Sequence, residues 1–525
     1  MMIRNFFGLA VMSALLALSP APQIAAQEQE KTEKEAKPTE AKPTTPEAPP
    51  PKEESSVTDH TIKIGSQTIP YKATASTTLI KDDKGEPTAS IFTIAYTRSD
   101  VKDLSQRAIA FVYNGGPGSS AIWLHMGAFG PRRVLTTDAG PTPPAPFKLV
   151  DNADSLLDKT DLVFIDPVGT GFSKAVGKAK DKDFWGIDQD VKSLAQFIAT
   201  YVSRNGRWNS PKFLIGESYG TFRSAALGDY LQNHNGMYFN GIVLISSVLD
   251  LRTISFNPGD DMPYVYYLPS YAATAYYHKV LKDAPSDLNA FLAEARQFAC
   301  TEYAAALMKG ADISASEKSD IARKVSHFTG LSEDYLIKAN LRVNLPQFMA
   351  ELQRSRGLST GRLDARFSGP QPDLLAEYAE YDPQSNAVDG AFTAAFNNYV
   401  REDLKFGKDL TYNAESEDAN RQWDWKRTKH ERDFGFPGAP NVEEDMVEAL
   451  VTNPHLQVEV ENGIYDLATP FLATEYTMKH LDLPENLRKN IHLQYYDAGH
   501  MMYLHEADLA KLKTNVASFL DSATK

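Results

Sequence analysis

Cysteine is almost absent from this sequence, since its 525 residues include only Cys300. A single cysteine excludes an internal disulfide, and it also excludes zinc sites of the CxxC type. The sequence contains no other constellation of metal ligands, so we expect neither a metal ion nor another cofactor. The stability of the fold must then come from its hydrophobic core, and 42% of the residues are hydrophobic.

Positive charge is also scarce. Lys and Arg number 54 and Asp and Glu number 68, so the formal net charge is −14. Proteins that bind nucleic acid usually carry a basic footprint, and we therefore expect no nucleic-acid partner. The overall acidity points to no other partner, and the sequence leaves the oligomeric state open.

The N-terminus lacks an apolar run of the roughly 20 residues that a membrane span needs. Residues 6–18 are almost wholly apolar, Arg4 precedes them, and Ile24-Ala25-Ala26 offers a cleavage site. These features predict a signal peptide at residues 1–26, with an uncleaved anchor as the alternative. An exported chain with one cysteine suits a periplasm, so we expect a periplasmic or secreted protein without stable membrane insertion.

Large apolar residues are missing from residues 27–56. This stretch holds eight Glu, five Lys and six Pro, but no Leu, Ile, Val or Phe. It cannot bury enough apolar surface to offset the entropy lost on ordering. We predict a disordered tether, with an interaction tail as the alternative.

The rest of the chain alternates between strand and helix patterns. Continuous apolar runs, typical of strands covered on both faces, lie at residues 108–113, 161–166, 212–216 and 240–246, and further strand-like runs lie at 456–460 and 491–496. Antiparallel strands are predicted within residues 61–98. Residues 251–441 are mostly amphipathic helix. We predict one α/β domain with a mostly parallel central sheet, formed by residues 57–250 and 442–525 and interrupted by a helical cap at 251–441.

The segment Gly216-Glu217-Ser218-Tyr219-Gly220 matches the pattern G-x-S-x-G. Its context strengthens this weak signal, because it follows a buried strand and opens a helix, as a nucleophile elbow does. Ser218 is therefore the predicted nucleophile. A serine hydroxyl is a poor nucleophile at neutral pH, so it needs a base that is oriented by an acid.

The base and the acid are expected after the serine, with the acid first. His500 follows the last predicted strand and precedes the last helix, whereas its competitor His505 lies in or near that helix. Asp466 follows the preceding strand. Its competitor Asp497 is so close to His500 that both would share one short loop. We predict a triad of Ser218, Asp466 and His500.

The oxyanion hole is expected in the loop after the strand at residues 108–113, together with the amide that follows the nucleophile. That loop reads Asn114-Gly115-Gly116-Pro117-Gly118. Consecutive glycines let several N–H groups point at one spot. The predicted donors are the amides of Gly116 and Tyr219. A phosphate-binding loop is the alternative, but neither GxxxxGK[ST] nor GxGxxG fits here.

Together these segments resemble the serine carboxypeptidases of the α/β-hydrolase fold. The resemblance covers the glycine loop, the elbow, Asp466 before Pro470, Gly499-His500-Met501, and Asp166-Pro167-Val168-Gly169-Thr170-Gly171-Phe172-Ser173. It implies a helical cap and release of C-terminal amino acids from peptides with a free carboxylate. It also implies that Asn114, Glu217 and the Gly115 amide bind that carboxylate. The carboxylates of Glu217 and the substrate repel each other unless one of them is protonated. We therefore expect the substrate to bind more tightly at acidic pH.

The sequence departs from the family pattern at three positions. Ala128 stands where the family often has a glutamate that supports the carboxylate-binding one, so the strength of the acid preference is open. Ser119 replaces a cysteine, and Tyr503 replaces a proline near the predicted base.

An esterase, aminopeptidase or acyltransferase with the same triad is the alternative function. A non-catalytic binding module is disfavoured, because every triad position is filled.

Overall fold

The computed structural model describes residues 50–283, 286–430 and 439–525. The predicted signal peptide and most of the predicted tether lie outside these ranges. The predicted tether ends at residue 56, and the structure describes residues 50–56 of it. The first strand begins at Ser55, and Glu53 forms an ion pair with Arg204 at 2.9 Å. Backbone pairing, rather than burial of apolar side chains, extends the fold into this polar segment.

Most strands belong to one sheet. In chain order, the strands are β1 (Ser55–Ile64), β2 (Gln67–Lys81), β3 (Pro87–Arg98), β4 (Ala108–Tyr113), β5 (Arg132–Val134), β6 (Leu149–Asp151), β7 (Thr160–Ile165), β8 (Lys174–Ala175), β9 (Lys212–Glu217), β10 (Gly241–Ile245), β11 (Leu358–Thr360), β12 (Ser368–Pro370), β13 (Gln457–Gly463) and β14 (Ile491–Tyr496). The sheet order is β1-β2-β3-β7-β4-β9-β10-β13-β14, and β8 pairs with β3. All neighbours from β7 to β14 are parallel, whereas β1, β2, β3 and β7 pair antiparallel.

The helices flank this sheet and fill the insertion. In chain order, they are α1 (Ile187–Arg204), α2 (Tyr219–Asn235), α3 (Met262–Tyr277), α4 (Leu288–Phe298), α5 (Ala304–Met308), α6 (Ala315–Thr329), α7 (Glu333–Lys338), α8 (Leu345–Glu351), α9 (Pro383–Glu402), α10 (Glu417–Arg421), α11 (Glu443–Thr452), α12 (Phe471–His480), α13 (Glu485–Arg488) and α14 (Glu506–Ala523). Among residues 50–283, 286–430 and 439–525, no helix has the length and apolarity that crossing a membrane requires.

Apolar layers cover both faces of the sheet. Ala110 and Val112 of β4 face a core that includes α9 and α14, while Ile109 and Phe111 face a core with α1, α2 and α11. Successive side chains of a strand point to opposite faces, so a strand covered on both faces must be apolar throughout. This explains the continuous apolar runs of the sequence. The predicted fold class, an α/β hydrolase with a mostly parallel sheet, is confirmed.

The inserted helices pack in two places. Helices α3, α4, α6, α7 and α8 share a core with Ile464, Tyr465 and Leu467, which follow β13. Helix α9 instead inserts Phe392 and Phe396 into a core on the sheet. The insertion is helical, as expected, but its helices do not all join one layer. The domain boundaries given above stay a prediction.

Candidate active site

The predicted nucleophile, Ser218, lies in the turn between β9 and α2. Its φ and ψ angles are 60° and −128°, a strained conformation for a residue with a side chain. The turn is tight, because a Cβ on Gly216 would collide with the Gly220 carbonyl. Ser218 is half-buried, while Glu217 and Tyr219 on either side are buried. This strand–turn–helix has the geometry of a nucleophile elbow.

The structure brings the predicted base and acid together. The Nδ1–H of His500 donates to Asp466 Oδ2 at 2.7 Å, and both side chains are buried. Asp466 Oδ1 also accepts from the amides of Ala468 and Thr469, at 2.7 and 2.9 Å, and the Thr469 hydroxyl donates to Oδ2 at 2.6 Å. Burial alone would lower the pKa of His500, but the charge and hydrogen bond of Asp466 outweigh it and raise that pKa.

The two competing residues lie elsewhere. His505 precedes α14 and hydrogen-bonds Asp508 at 3.0 Å within the same helical turn. Asp497 is exposed, whereas Asp466 is inaccessible to solvent and bonded to the His500 ring. The geometry therefore favours His500 and Asp466 over these alternatives.

Three neighbouring parallel strands align the elbow with the His500 loop. The Ser218 amide donates to the Ile245 carbonyl at the end of β10, at 2.9 Å. The next residue, Ser246, donates its hydroxyl to the His500 carbonyl at 2.7 Å. Because the carboxyl ends of parallel strands meet at one edge, β9, β10 and β13 deliver Ser218, Ser246 and Asp466 to the same region.

The glycine loop lies directly against the elbow. A Cβ on Gly115 would lie 2.5 Å from the Tyr219 nitrogen, so only glycine allows this approach. Gly116 has a φ of +97°, in the region that favours glycine. The loop that carries Gly116 therefore approaches the start of α2 at Tyr219, and the pairing of these two amides as oxyanion donors stays a prediction.

Asn114 and Glu217 form a buried polar pair next to these groups. Asn114 Nδ2 donates to Glu217 Oε1 at 2.8 Å, and Asn114 Oδ1 accepts from the Leu124 amide at 3.1 Å. Glu217 is 4% exposed. Burial raises the pKa of Glu217 to about 7, although the charge of His500 and the neighbouring Tyr503 and Asn114 side chains act in the opposite direction. Glu217 therefore changes its charge near neutral pH.

Comparison with known proteins identifies the family. The sequence profile described as serine carboxypeptidase matches residues 92–513, most of the chain. The chain belongs to the serine carboxypeptidase family. The pheromone-processing carboxypeptidase KEX1 of Saccharomyces cerevisiae is 29% identical over 161 residues, which are 29% of this chain and 21% of the yeast protein. The aligned part thus spans about a fifth of that relative.

The solved structure of the yeast prohormone-processing carboxypeptidase KEX1 shares the fold. It superposes with a TM-score of 0.54 at 16% identity, over 86% of this chain and 92% of the solved chain. A proline iminopeptidase from Mycobacterium smegmatis reaches a TM-score of 0.36 at 14% identity, over 89% and 98% of the two chains, too low to support an argument.

Three residues of this candidate site were not predicted from the sequence. The Thr469 hydroxyl donates a hydrogen bond to the Asp466 carboxylate. The Ser246 hydroxyl donates one to the His500 carbonyl. An Asp followed three residues later by Thr is a common local turn, and that spacing is the signal for Thr469. Ser246 carries no such signal. The sequence shows Tyr503 as a departure from the family pattern, but it does not predict the interaction of Tyr503 with Glu217.

Proposed function

We propose that this protein is an exported serine carboxypeptidase that releases C-terminal amino acids from peptides. Ser218 Oγ attacks the carbonyl carbon of the last peptide bond while His500 Nε2 takes its proton. The proton then passes to the leaving amine, and the peptide remains as an ester on Ser218. Water, deprotonated by His500, hydrolyses this acyl-enzyme. Asp466 holds the imidazole, and the Gly116 and Tyr219 amides stabilise the oxyanion.

The observation that carries this proposal is the buried Asn114–Glu217 pair beside the predicted triad. A nucleophile, a base and an acid serve many hydrolases, but they need no buried carboxyl group next to the elbow. Asn114 Nδ2 and a protonated Glu217 supply two donors, which match the two acceptor oxygens of a terminal carboxylate. The Gly115 amide is the third predicted contact with that carboxylate.

The charge state of Glu217 sets the pH dependence of binding. A deprotonated Glu217 would repel the substrate carboxylate, so only the protonated form binds it. We call Asn114, Glu217 and the Gly115 amide the carboxylate clamp. Since burial raises the pKa of Glu217 to about 7, the clamp binds the substrate carboxylate less tightly as pH rises above neutrality. Peptide binding should therefore be favoured on the acidic side.

An esterase, aminopeptidase or acyltransferase could use the same three catalytic side chains. None of these needs a clamp for a substrate carboxylate, so the Asn114–Glu217 pair favours the carboxypeptidase. Export to the periplasm or the medium rests on the predicted signal peptide at residues 1–26, and the overall acidity gives no support for a nucleic-acid partner.

Three substrates test the proposal: an N-blocked dipeptide with a free carboxylate, its C-terminal amide, and an N-blocked amino-acid methyl ester. The dipeptide acid should be cleaved with a much higher kcat/KM than the amide, because only the acid presents two acceptor oxygens to the donors of Asn114 and Glu217. The methyl ester reports the triad without the clamp. Equal cleavage of the acid and the amide would contradict the carboxypeptidase assignment.

A further inference from the structure

Tyr503 and Ala128 are two of the positions at which this chain departs from the family pattern. Ala128 replaces the glutamate that often supports the carboxylate-binding residue, and it is fully buried with no polar side-chain atom. Any further donor for the clamp must come from another element. Tyr503 lies on the loop after β14, three residues beyond His500.

The Tyr503 ring packs against the segment that contains Ala128. A Cβ on Gly127 would lie 2.6 and 2.8 Å from two ring carbons of Tyr503, so the ring touches the Gly127 backbone directly. Gly127 and Ala128 belong to the π-helical stretch Leu124–Phe129 that follows the glycine loop. Gly127, which has no side chain, makes room for this large ring.

The hydroxyl of this ring interacts with Glu217 and Asn114 but forms no well-aligned hydrogen bond with either. Tyr503 is 2% exposed, and within the described residues neither its hydroxyl nor Glu217 Oε2 forms a hydrogen bond of acceptable geometry. Buried polar groups are nearly always paired, and an unpaired one is costly. Burial raises the pKa of Tyr503, and the charge of Glu217 together with a poorly aligned hydrogen bond between the two side chains raises it further. A ligand with two acceptor oxygens would satisfy both.

We propose that the Tyr503 hydroxyl donates a hydrogen bond to the terminal carboxylate of the substrate, as a third side-chain donor beside Asn114 and Glu217. This inference rests on the proposed carboxypeptidase function. The titratable groups that shift the pKa of Glu217 are His500, Asp466 and Tyr503. The pKa of Tyr503 is shifted by one titratable group, Glu217, and by the neutral side chain of Asn114. A phenol stays protonated through neutral pH, so this donor persists where a second glutamate would lose its proton.

The variant Tyr503→Phe tests the inference, because it keeps the ring on Gly127 and removes only the hydroxyl. KM for the dipeptide acid should rise about ten- to a hundredfold, the effect of one hydrogen bond to a charged group. The kcat for that substrate and the KM for the methyl ester should stay within about twofold. The KM ratio of variant to wild type should be largest below pH 7 and fall as pH rises above it, because loss of the Tyr503 hydroxyl lets the pKa of Glu217 rise further.

Tyr271→Phe is the matched control. Tyr271 is another buried tyrosine whose hydroxyl has no hydrogen-bond partner in the described part of the chain, but it lies in the core of the inserted helices. Its KM values should match those of the wild type. Gly127→Ala is a second variant, which displaces the Tyr503 ring without removing its hydroxyl and should also raise KM for the acid selectively.

The outcomes separate the two proposals. An unchanged KM for the acid in Tyr503→Phe, or an equal rise for the acid and the methyl ester, would overturn the role of Tyr503. A wild-type enzyme that cleaves the dipeptide acid and its amide equally well would instead overturn the carboxylate clamp itself. Thermal unfolding of each variant verifies that the fold is retained.

Discussion

The variant Glu217→Gln gives the sharpest test of the clamp, because it removes a charge change and keeps a hydrogen-bond donor. In the wild type, Glu217 binds the substrate carboxylate only when protonated, and burial raises its pKa to about 7. Above that pH, the protonated fraction of Glu217 falls tenfold for each pH unit. Each tenfold fall weakens substrate binding by about 1.4 kcal/mol. From pH 6 to pH 9, KM for the dipeptide acid should therefore rise roughly a hundredfold. In Glu217→Gln it should be nearly flat.

The assay is the KM of the dipeptide acid at half-unit steps from pH 5.5 to 9, divided by the KM of the methyl ester at each pH. The ratio cancels the titration of His500, since both substrates use the same base. A wild-type ratio that does not change with pH would refute the clamp. A Glu217→Gln ratio with the wild-type slope would show that another group titrates.

Stability gives an independent readout of the same substitution. The pKa of Glu217 rises from 4.5 to about 7 on folding, so the unfolded chain releases this proton first. The wild type is therefore most stable below pH 4.5 with respect to this group, and it loses that contribution as pH rises through about 7. Between pH 5 and 8, Glu217→Gln should have a higher Tm than the wild type. The corresponding gain in the free energy of unfolding has an upper limit of about 3 kcal/mol.

Four further substitutions address the remaining site residues. Ser218→Ala should abolish fluorophosphonate labelling and lower kcat by about a millionfold. Asp466→Asn should lower kcat by roughly ten thousandfold with little change in KM, because His500 loses its orienting acceptor. Thr469→Val removes one donor to Asp466, which should cost about 1 kcal/mol, or roughly fivefold in kcat. Gly115→Ala forces a Cβ against the Tyr219 nitrogen and should lower both the Tm and kcat/KM, the latter by about a hundredfold or more, measured by thermal unfolding and dipeptide hydrolysis.

The sheet and the order of the candidate triad were predictable from the sequence for one physical reason. Strands covered on both faces are continuous apolar runs, and their carboxyl ends align at one edge of a parallel sheet. A polar residue just after such a run must therefore lie near that edge. This reasoning predicts that Ser218 lies near that edge, and the strands before Asp466 and His500 predict the same for these two residues. The 2.7 Å contact between His500 and Asp466 agrees with it.

Contacts between elements that are distant in the chain were not predictable in this way. Helix α9 resembles the other inserted helices in its pattern, yet Phe392 and Phe396 pack onto the sheet, because packing partners are set by the fold as a whole. Tyr503 is the clearer case. Its interaction with Glu217 depends on the segment after β14, on Gly127 and on the elbow. Each of these segments follows a local rule, but their convergence beside Glu217 follows only from the three-dimensional arrangement.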